Sequence, residues 1–363
     1  MSYKLKSVKA AKVDGKRVLL RLDLDVPLEN GKIQDDKRLS CGFQTAKHLL
    51  KTASEVIICG HLDRPTAQWK VGDGKWHLNK DNEDLSLFPV AKWFVDQLGL
   101  SNQEFELAEK DGFIGWQIGP KVFLIENTRF FEGEKENDLK FAKQLASLAD
   151  VFVNDAFAVC HRANASVVGV AKYLPSFAGF RLLEEVENLS KVLNNPKRPM
   201  VVIVGGAKIS TKLPLVEKMY KIADFVLVGG KIAQEEEVLF QVTKQKMAKK
   251  HSTLILAHLI PNEEDISRKS LENFLEIIKL GKTIVWNGPV GRVEDEKYEY
   301  NSLRIAEKII ETKAYSVIGG GDTVNFIKKI NMEDKFSFVS TGGGAMLEFM
   351  AEEKLPGLLV LEK

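Results

Sequence analysis

The sequence predicts an α/β protein built on parallel sheets, and three observations carry that prediction. Short apolar runs rich in β-branched residues stand without polar alternation, as in VVIV at 201–204. Such runs suit strands buried on both faces. Several of them end in Gly, at Gly205-Gly206, Gly288, Gly319-Gly320-Gly321 and Gly342-Gly343-Gly344. Helical patterns open directly after most of these turns, giving the strand-then-helix alternation of parallel sheets. In such a sheet the carboxyl ends of the strands converge on one crevice, where open α/β folds hold their ligands.

The bulk composition narrows the function. At 363 residues the chain exceeds one usual domain, so two are expected. A hydrophobic fraction of 44% and a charged fraction of 28% belong to an ordinary globular protein. A net charge of +2 argues against a broad nucleic-acid surface, though it permits a local basic pocket. No apolar run reaches membrane-span length, the N-terminus lacks a signal-type apolar segment, and three Cys point to a reducing cytoplasm. Cys59 near His61 and Cys160 beside His161 raise a metal site, but the spacing matches no zinc pattern, and buried thiols are expected.

Taken in order, residues 17–22 (RVLLRL) read as a strand running into Asp23-Leu24-Asp25. Asn30-Gly31 is a turn, and Arg38 falls early in the helical pattern that follows. Residues 55–59 form the next strand, ending at Gly60-His61-Leu62-Asp63-Arg64. After a Trp-, Gly- and Asn-containing stretch at 68–84, expected to be a surface loop, residues 86–99 read as an amphipathic helix. A strand at 121–125 leads to Arg129; a helix at 138–148 and a strand at 151–153 lead on to His161-Arg162. Charged groups thus collect just after apolar strands: Arg21, Asp23, Arg38, His61, Arg64, Arg129 and Arg162. Arg forks match phosphate and carboxylate oxygens, so the cluster suits a small, heavily anionic substrate.

The second half centres on Val201 to Leu213, VVIVGGAKISTKL. Lys208 and Lys212 stand at i,i+4 spacing beside a Gly turn and a helix start, where free N–H groups and the helix dipole favour an anion. Alone, this is equally a tight βα turn with two solvated lysines. The Gly-ended strands at 283–286, 316–318 and 336–339 favour the anion site, and Asp322 adds a hard oxygen of the kind Mg²⁺ takes beside phosphates. A basic pocket in one half and a nucleotide-type site in the other imply phosphoryl transfer across a cleft.

From end to end the chain resembles the phosphoglycerate kinase family. The segments that carry the resemblance are RLDLDVP, DDKRL, HLDRP, ENTRFFEGEKEND, VNDAFAVCHRANAS, AGFRLLEEVENL, GGAKISTK, WNGPVGRVE, GGGDT and STGGGA, in the family's order. The resemblance implies two doubly wound, Rossmann-like parallel-sheet domains joined by a hinge helix at about 180–195. A triose-phosphate domain would span 1–175, a nucleotide domain 176–345, and a segment at 346–363 would return to the first domain. It also implies a cytoplasmic monomer that transfers a phosphoryl group between 1,3-bisphosphoglycerate and Mg-ADP, with no nucleic-acid or membrane partner.

By match, Asp23, Asp25, Arg38, His61, Arg64, Arg129 and Arg162 would bind the triose phosphate. Lys208 would meet the transferring phosphoryl group, Lys212 the nucleotide phosphates, Asp322 the Mg²⁺ and Glu294 the ribose. Gly206, Gly319, Gly320, Gly321, Thr323, Gly342, Gly343 and Gly344 would line the nucleotide, with Asn287 on the phosphate path. Arg38 and Lys208, as the catalytic pair, would act together only on closure, in line with chemistry that needs positioning and neutralised charge rather than a covalent nucleophile.

The chain departs from the family at four places. Asp25 stands where Asn is usual, Asp63 where Gly is, and Thr211 where Asp is. Gly229-Gly230-Lys231-Ile232 replaces a Gly-Gly-Met-Ala type segment, a change that falls on the expected adenine pocket. A weakened relative acting as a regulator is the rival reading; against it, every Arg of the basic set is retained. A nicotinamide dehydrogenase fails on the missing GxGxxG spacing and on Asp224, which precedes its apolar run instead of following one.

Overall fold

The computed structural model describes residues 3–65, 71–72, 75–76, 84–101, 105–207, 209–234, 252–351 and 354–363. The chain forms two compact units, Tyr3–Glu184 with Leu355–Lys363, and Glu185–Lys354. Among the described residues no helix is long and apolar enough to cross a membrane.

The first unit carries a seven-stranded sheet. Its strands are β1 (Arg17–Arg21), β2 (Glu55–Cys59), β3 (Phe105–Lys110), β4 (Phe113–Ile118), β5 (Val122–Ile125), β6 (Val151–Asn154) and β7 (Ser176–Ala178). They lie in the order β7-β6-β1-β2-β5-β4-β3. All pair in parallel except β4, which runs against both neighbours. Helices α1 (Lys37–Leu49), α2 (Phe88–Leu98) and α3 (Leu139–Ser147) supply apolar faces to the two sides. Leu20, Ile58 and Leu124 pack with Phe43 of α1 and Phe94 of α2. Their chain neighbours Leu19, Ile57 and Phe123 pack with Phe141 and Leu145 of α3. Both faces of the sheet are therefore buried, which is why its strands read as unbroken apolar runs. Asp138 caps α3 by accepting from the Phe141 N–H at 2.8 Å, a contact that contributes about 1 kcal/mol.

The β3–β4 hairpin is absent from the sequence reading. Asp111 and Gly112 both have positive φ (48° and 83°), as a two-residue turn between right-twisted strands needs. The Asp-Gly pair was the available signal. Of the 68–84 stretch, Val71–Gly72 and Lys75–Trp76 pair antiparallel; residues 66–70, 73–74 and 77–83 lie outside the described residues.

The second unit carries a six-stranded sheet, parallel throughout. Its strands are β8 (Met200–Val204), β9 (Phe225–Val228), β10 (Thr253–Leu256), β11 (Thr283–Asn287), β12 (Tyr315–Gly319) and β13 (Phe338–Val339). The order is β10-β9-β8-β11-β12-β13, so chain order reverses between β8 and β11. Helix α4 (Phe180–Asn194) carries the chain from the first unit into the second. Among the described residues, the second unit's further helices are α5 (Ile209–Ile222), α6 (Arg268–Ile278), α7 (Tyr300–Thr312), α8 (Gly321–Lys329) and α9 (Gly343–Met350). The C-terminal segment belongs to the first unit, where the Gly357 N–H donates to the Cys160 carbonyl at 2.9 Å and the Lys6 N–H to that of Leu361 at 3.0 Å.

Candidate active site

In the first unit the sheet order reverses at β1, with β2 on one side and β6 on the other. The loops leaving β1, β2, β5 and β6 bring charged side chains to one place. Arg21, the last residue of β1, is fully buried. It donates to Ser166 Oγ at 3.1 Å, to the Leu22 carbonyl and to His61 Nδ1 at 2.9 Å. A guanidinium can only donate, so Nδ1 accepts and the His61 proton sits on Nε2, facing Asp25 Oδ2 at 3.7 Å. Burial first, then the positive charges of Arg21, Arg129, Arg162 and Arg38, hold the His61 pKa well below 6.5. His61 is thus a neutral N–H donor.

Arg38, near the start of α1, reaches Asp23 Oδ1 at 3.4 Å and donates to the Asp25 carbonyl at 3.0 Å. Burial raises the Asp23 pKa against the opposing charge of Arg38. The second Asp23 oxygen is buried without a hydrogen-bond partner, an acceptor left open for a donor such as a hydroxyl. Arg129 donates to the Asp63 carbonyl. Its pKa is lowered to about 10, chiefly by burial and then by the nearby charge of Arg162, with Arg21 and Arg64 acting the same way. Arg162 donates from Nε to His161 Nε2 at 3.2 Å, and Arg64 is exposed. Asp23, Asp25, His61 and the arginines 38, 64, 129 and 162 therefore act on one another in a single cluster rich in cations, which an anion would relieve. Cys59 and Cys160 are buried and carry no disulfide; burial pushes the Cys59 thiol up to about 12.

In the second unit the reversal point carries the glycine turns. Gly205 follows β8 and donates its N–H to the Asn287 carbonyl at 3.0 Å. Any Cβ on Gly288 would collide with the Gly205 carbonyl, so the two turns pass at backbone distance. Gly230 has φ +63° and lies against Gly206, where a Cβ would stand 2.7 Å from its amide nitrogen. Trp286 Nε1 donates to the Gly288 carbonyl at 2.8 Å, and the Gly288 N–H donates to Thr323 Oγ1 at 2.7 Å. Thr323 thus fixes the loop after β11 with its side chain while its backbone belongs to the first turn of α8.

Lys212, on α5, is buried and donates to Asn287 Oδ1. Burial lowers its pKa to about 8, with Asp322 opposing. Gly320, the N-cap of α8, places its Cα against Asn287, and Gly319 lies against Met346 of α9. Gly342 and Gly343 open α9, which packs against α5. Lys208 and the side chain of Thr211 lie outside the described residues, as do residues 235–251 of the altered segment.

A pocket of about 230 Å³ opens at these turns. Gly206, Glu294 and Asp322, each predicted from the sequence, line it together with Lys231 and Arg292, which sequence reasoning missed. Arg292 is held by Glu264 (3.3 Å) and Asp295 (3.1 Å). Among the described residues Asp322 makes no hydrogen bond or ion pair, and no group of three metal-type side chains exists. A lone carboxylate beside a phosphate-type turn fits Mg²⁺, which keeps waters and is held by one or two carboxylates plus substrate phosphates.

Comparison with known proteins gives one consistent answer. The phosphoglycerate kinase family model matches residues 8–251 and 238–353. A phosphoglycerate kinase of Dictyoglomus turgidum is 36% identical, the alignment covering 96% of each chain. The structure of phosphoglycerate kinase from Coxiella burnetii superposes with a TM-score of 0.82 at 33% identity, covering 98% of both chains. That of the enzyme from Pyrococcus horikoshii gives 0.76 at 25% identity, again over 98% of each.

Proposed function

The chain belongs to the phosphoglycerate kinase family, and we infer that it catalyses the reversible transfer of a phosphoryl group from 1,3-bisphosphoglycerate to ADP, giving 3-phosphoglycerate and ATP. It is a glycolytic phosphotransferase whose acceptor, in the ATP-consuming direction, is a carboxyl group. The observation that carries the reading from the site itself is the cation cluster at the carboxyl ends of β1, β2, β5 and β6. Burial, and after it the nearby charge of Arg162, lowers the Arg129 pKa to about 10, so a phosphate and a carboxylate would complete the cluster.

In this reading Asp23, Asp25, Arg38, His61, Arg64, Arg129 and Arg162 hold the triose phosphate. The open Asp23 oxygen accepts from the substrate hydroxyl, and neutral His61 donates from Nε2 to an oxygen anion. In the second unit, Gly206, Gly319–Gly321 and Gly342–Gly344 line the nucleotide, with Thr323 beside them. Glu294 takes the ribose, and Lys212 with Asn287 meets the phosphates. Asp322 would hold Mg²⁺, which when bound screens the phosphate charge. Lys208, as an expectation from the family match, meets the migrating phosphoryl group together with Arg38. Direct in-line transfer requires these two cations to be brought to the same phosphoryl, so the cycle involves hinge bending about α4 and excludes water from the acyl phosphate. The enzyme acts as a Mg²⁺-dependent cytoplasmic monomer.

The test is ATP formation from ADP and 1,3-bisphosphoglycerate, read by a coupled luminescence assay. Turnover that depends on both substrates and on Mg²⁺ is the expected result. A folded protein that binds 3-phosphoglycerate yet forms no ATP would instead be a binding relative.

A further inference from the structure

We infer that Asp25 and Asp63 form one linked unit, in which Asp25 positions Arg129 through the Asp63 backbone while its charge lowers the affinity of the site for anions. This rests on the reading of the cation cluster as the triose-phosphate site. The Asp63 N–H donates to Asp25 Oδ1 at 2.8 Å. That bond holds residue 63 at φ +49°, a left-handed conformation in which Asp is one of the few tolerated side chains. The Asp63 carbonyl in turn accepts from the Arg129 guanidinium. A side-chain oxygen at position 25 thus reaches Arg129 through one peptide.

The other oxygen of Asp25 faces the substrate cations. Oδ2 lies 3.7 Å from Arg38 Nη1 and 3.7 Å from His61 Nε2. These donors would otherwise be offered to the ligand, so the carboxylate acts as a resident anion competing for them. The acceptor function needs only an oxygen at Oδ1, which Asn supplies equally. The competing charge is specific to Asp. The two effects have opposite signs on anion binding, and two substitutions separate them: Asp25→Asn removes the charge and keeps the acceptor, whereas Asp25→Ala removes both.

Binding of 3-phosphoglycerate and of inorganic sulfate is measured by titration calorimetry at low and high salt. Asp25→Asn should bind both anions roughly tenfold tighter than the parent at low ionic strength, the gain shrinking at high salt as screening takes over. Asp25→Ala should bind several-fold more weakly than Asp25→Asn at every salt concentration, because Arg129 loses its anchor. On an Arg129→Lys background the Asn and Ala variants should bind alike, an equality that a general loss of structure at position 25 would not produce. If Asp25→Ala fails to fold, Asp25→Ser, whose hydroxyl is too short to reach residue 63, takes its place. The inference is overturned if Asp25→Asn binds no tighter than the parent, or if Asp25→Ala matches Asp25→Asn. If sulfate follows the predicted order while no form binds 3-phosphoglycerate, the linked unit stands and the substrate assignment falls.

Discussion

Replacing Lys212 by Met should make the protein more stable at neutral pH while disabling it. Burial lowers the Lys212 pKa from 10.5 to about 8, even with Asp322 acting in the opposite direction. At roughly 1.4 kcal/mol per pKa unit, holding the buried cation at pH 7 costs the folded state about 3 kcal/mol relative to the unfolded chain. Met keeps most of the packed stem and removes that cost. Against this stands the lost hydrogen bond to Asn287 Oδ1, whose unpaired oxygen costs roughly 1–2 kcal/mol. The desolvation effect wins, so the variant should gain about 1–2 kcal/mol at pH 7. The sign of the pH dependence is specific. Between pH 8 and 10.5 the unfolded chain binds the proton that the folded one has released, so the parent gains stability as pH rises through that window. The variant lacks this gain, and the difference between the two should vanish or reverse by pH 10. Urea unfolding at pH 7 and pH 10, with nucleotide binding measured alongside, provides the assay. A variant destabilised at pH 7, with the same pH slope as its parent, would refute the view that Lys212 is an electrostatically costly group kept for ligand binding.

Two further outcomes follow from the site geometry. His61 should remain neutral, with its proton on Nε2, well below the pH at which a free imidazole protonates, by nitrogen-15 NMR; because the unfolded ring protonates near 6.5 and the folded one does not, its contribution to stability should be lost as pH falls below 6.5. A ring that titrates above 6 would remove Arg21 as the group fixing it. Gly230→Ala should cost at least about 2 kcal/mol and weaken nucleotide binding at least tenfold in a titration, since a Cβ there meets the Gly206 amide and the backbone is left-handed; wild-type affinity would mean that the two turns can part freely.

The sequence exposed the parts of this protein that burial on two faces makes conspicuous. Leu19 and Leu20 point into different cores, so their strand has no polar alternation and its carboxyl end stands out, with Asp23 and Arg38 just beyond. The same holds for β8 and Gly205-Gly206. The hairpin at 105–118 was hidden because β3 lies at the sheet edge and its exposed residues break up the apolar pattern. The buried network of Arg21, Ser166 and Glu134 was hidden for another reason. Ser166 Oγ donates to Glu134 Oε1 at 2.6 Å and accepts from Arg21, but these residues are far apart in the chain and each alone reads as a surface residue. Lys231 and Arg292 line the pocket at the second unit's glycine turns, whose paths only the folded sheet defines.

Direct phosphoryl transfer between the two sites is the central claim, and a single-turnover experiment tests it most directly. Enzyme in excess would be mixed with Mg²⁺, 3-phosphoglycerate and ATP labelled in its terminal phosphate, in parallel with the Lys208→Ala protein. The account predicts label in the acyl phosphate with little free phosphate, and a rate for Lys208→Ala lower by roughly 10²–10³, as for loss of one preorganised charge donor. Label released as inorganic phosphate whether or not 3-phosphoglycerate is present, or an unchanged rate in Lys208→Ala, would contradict it.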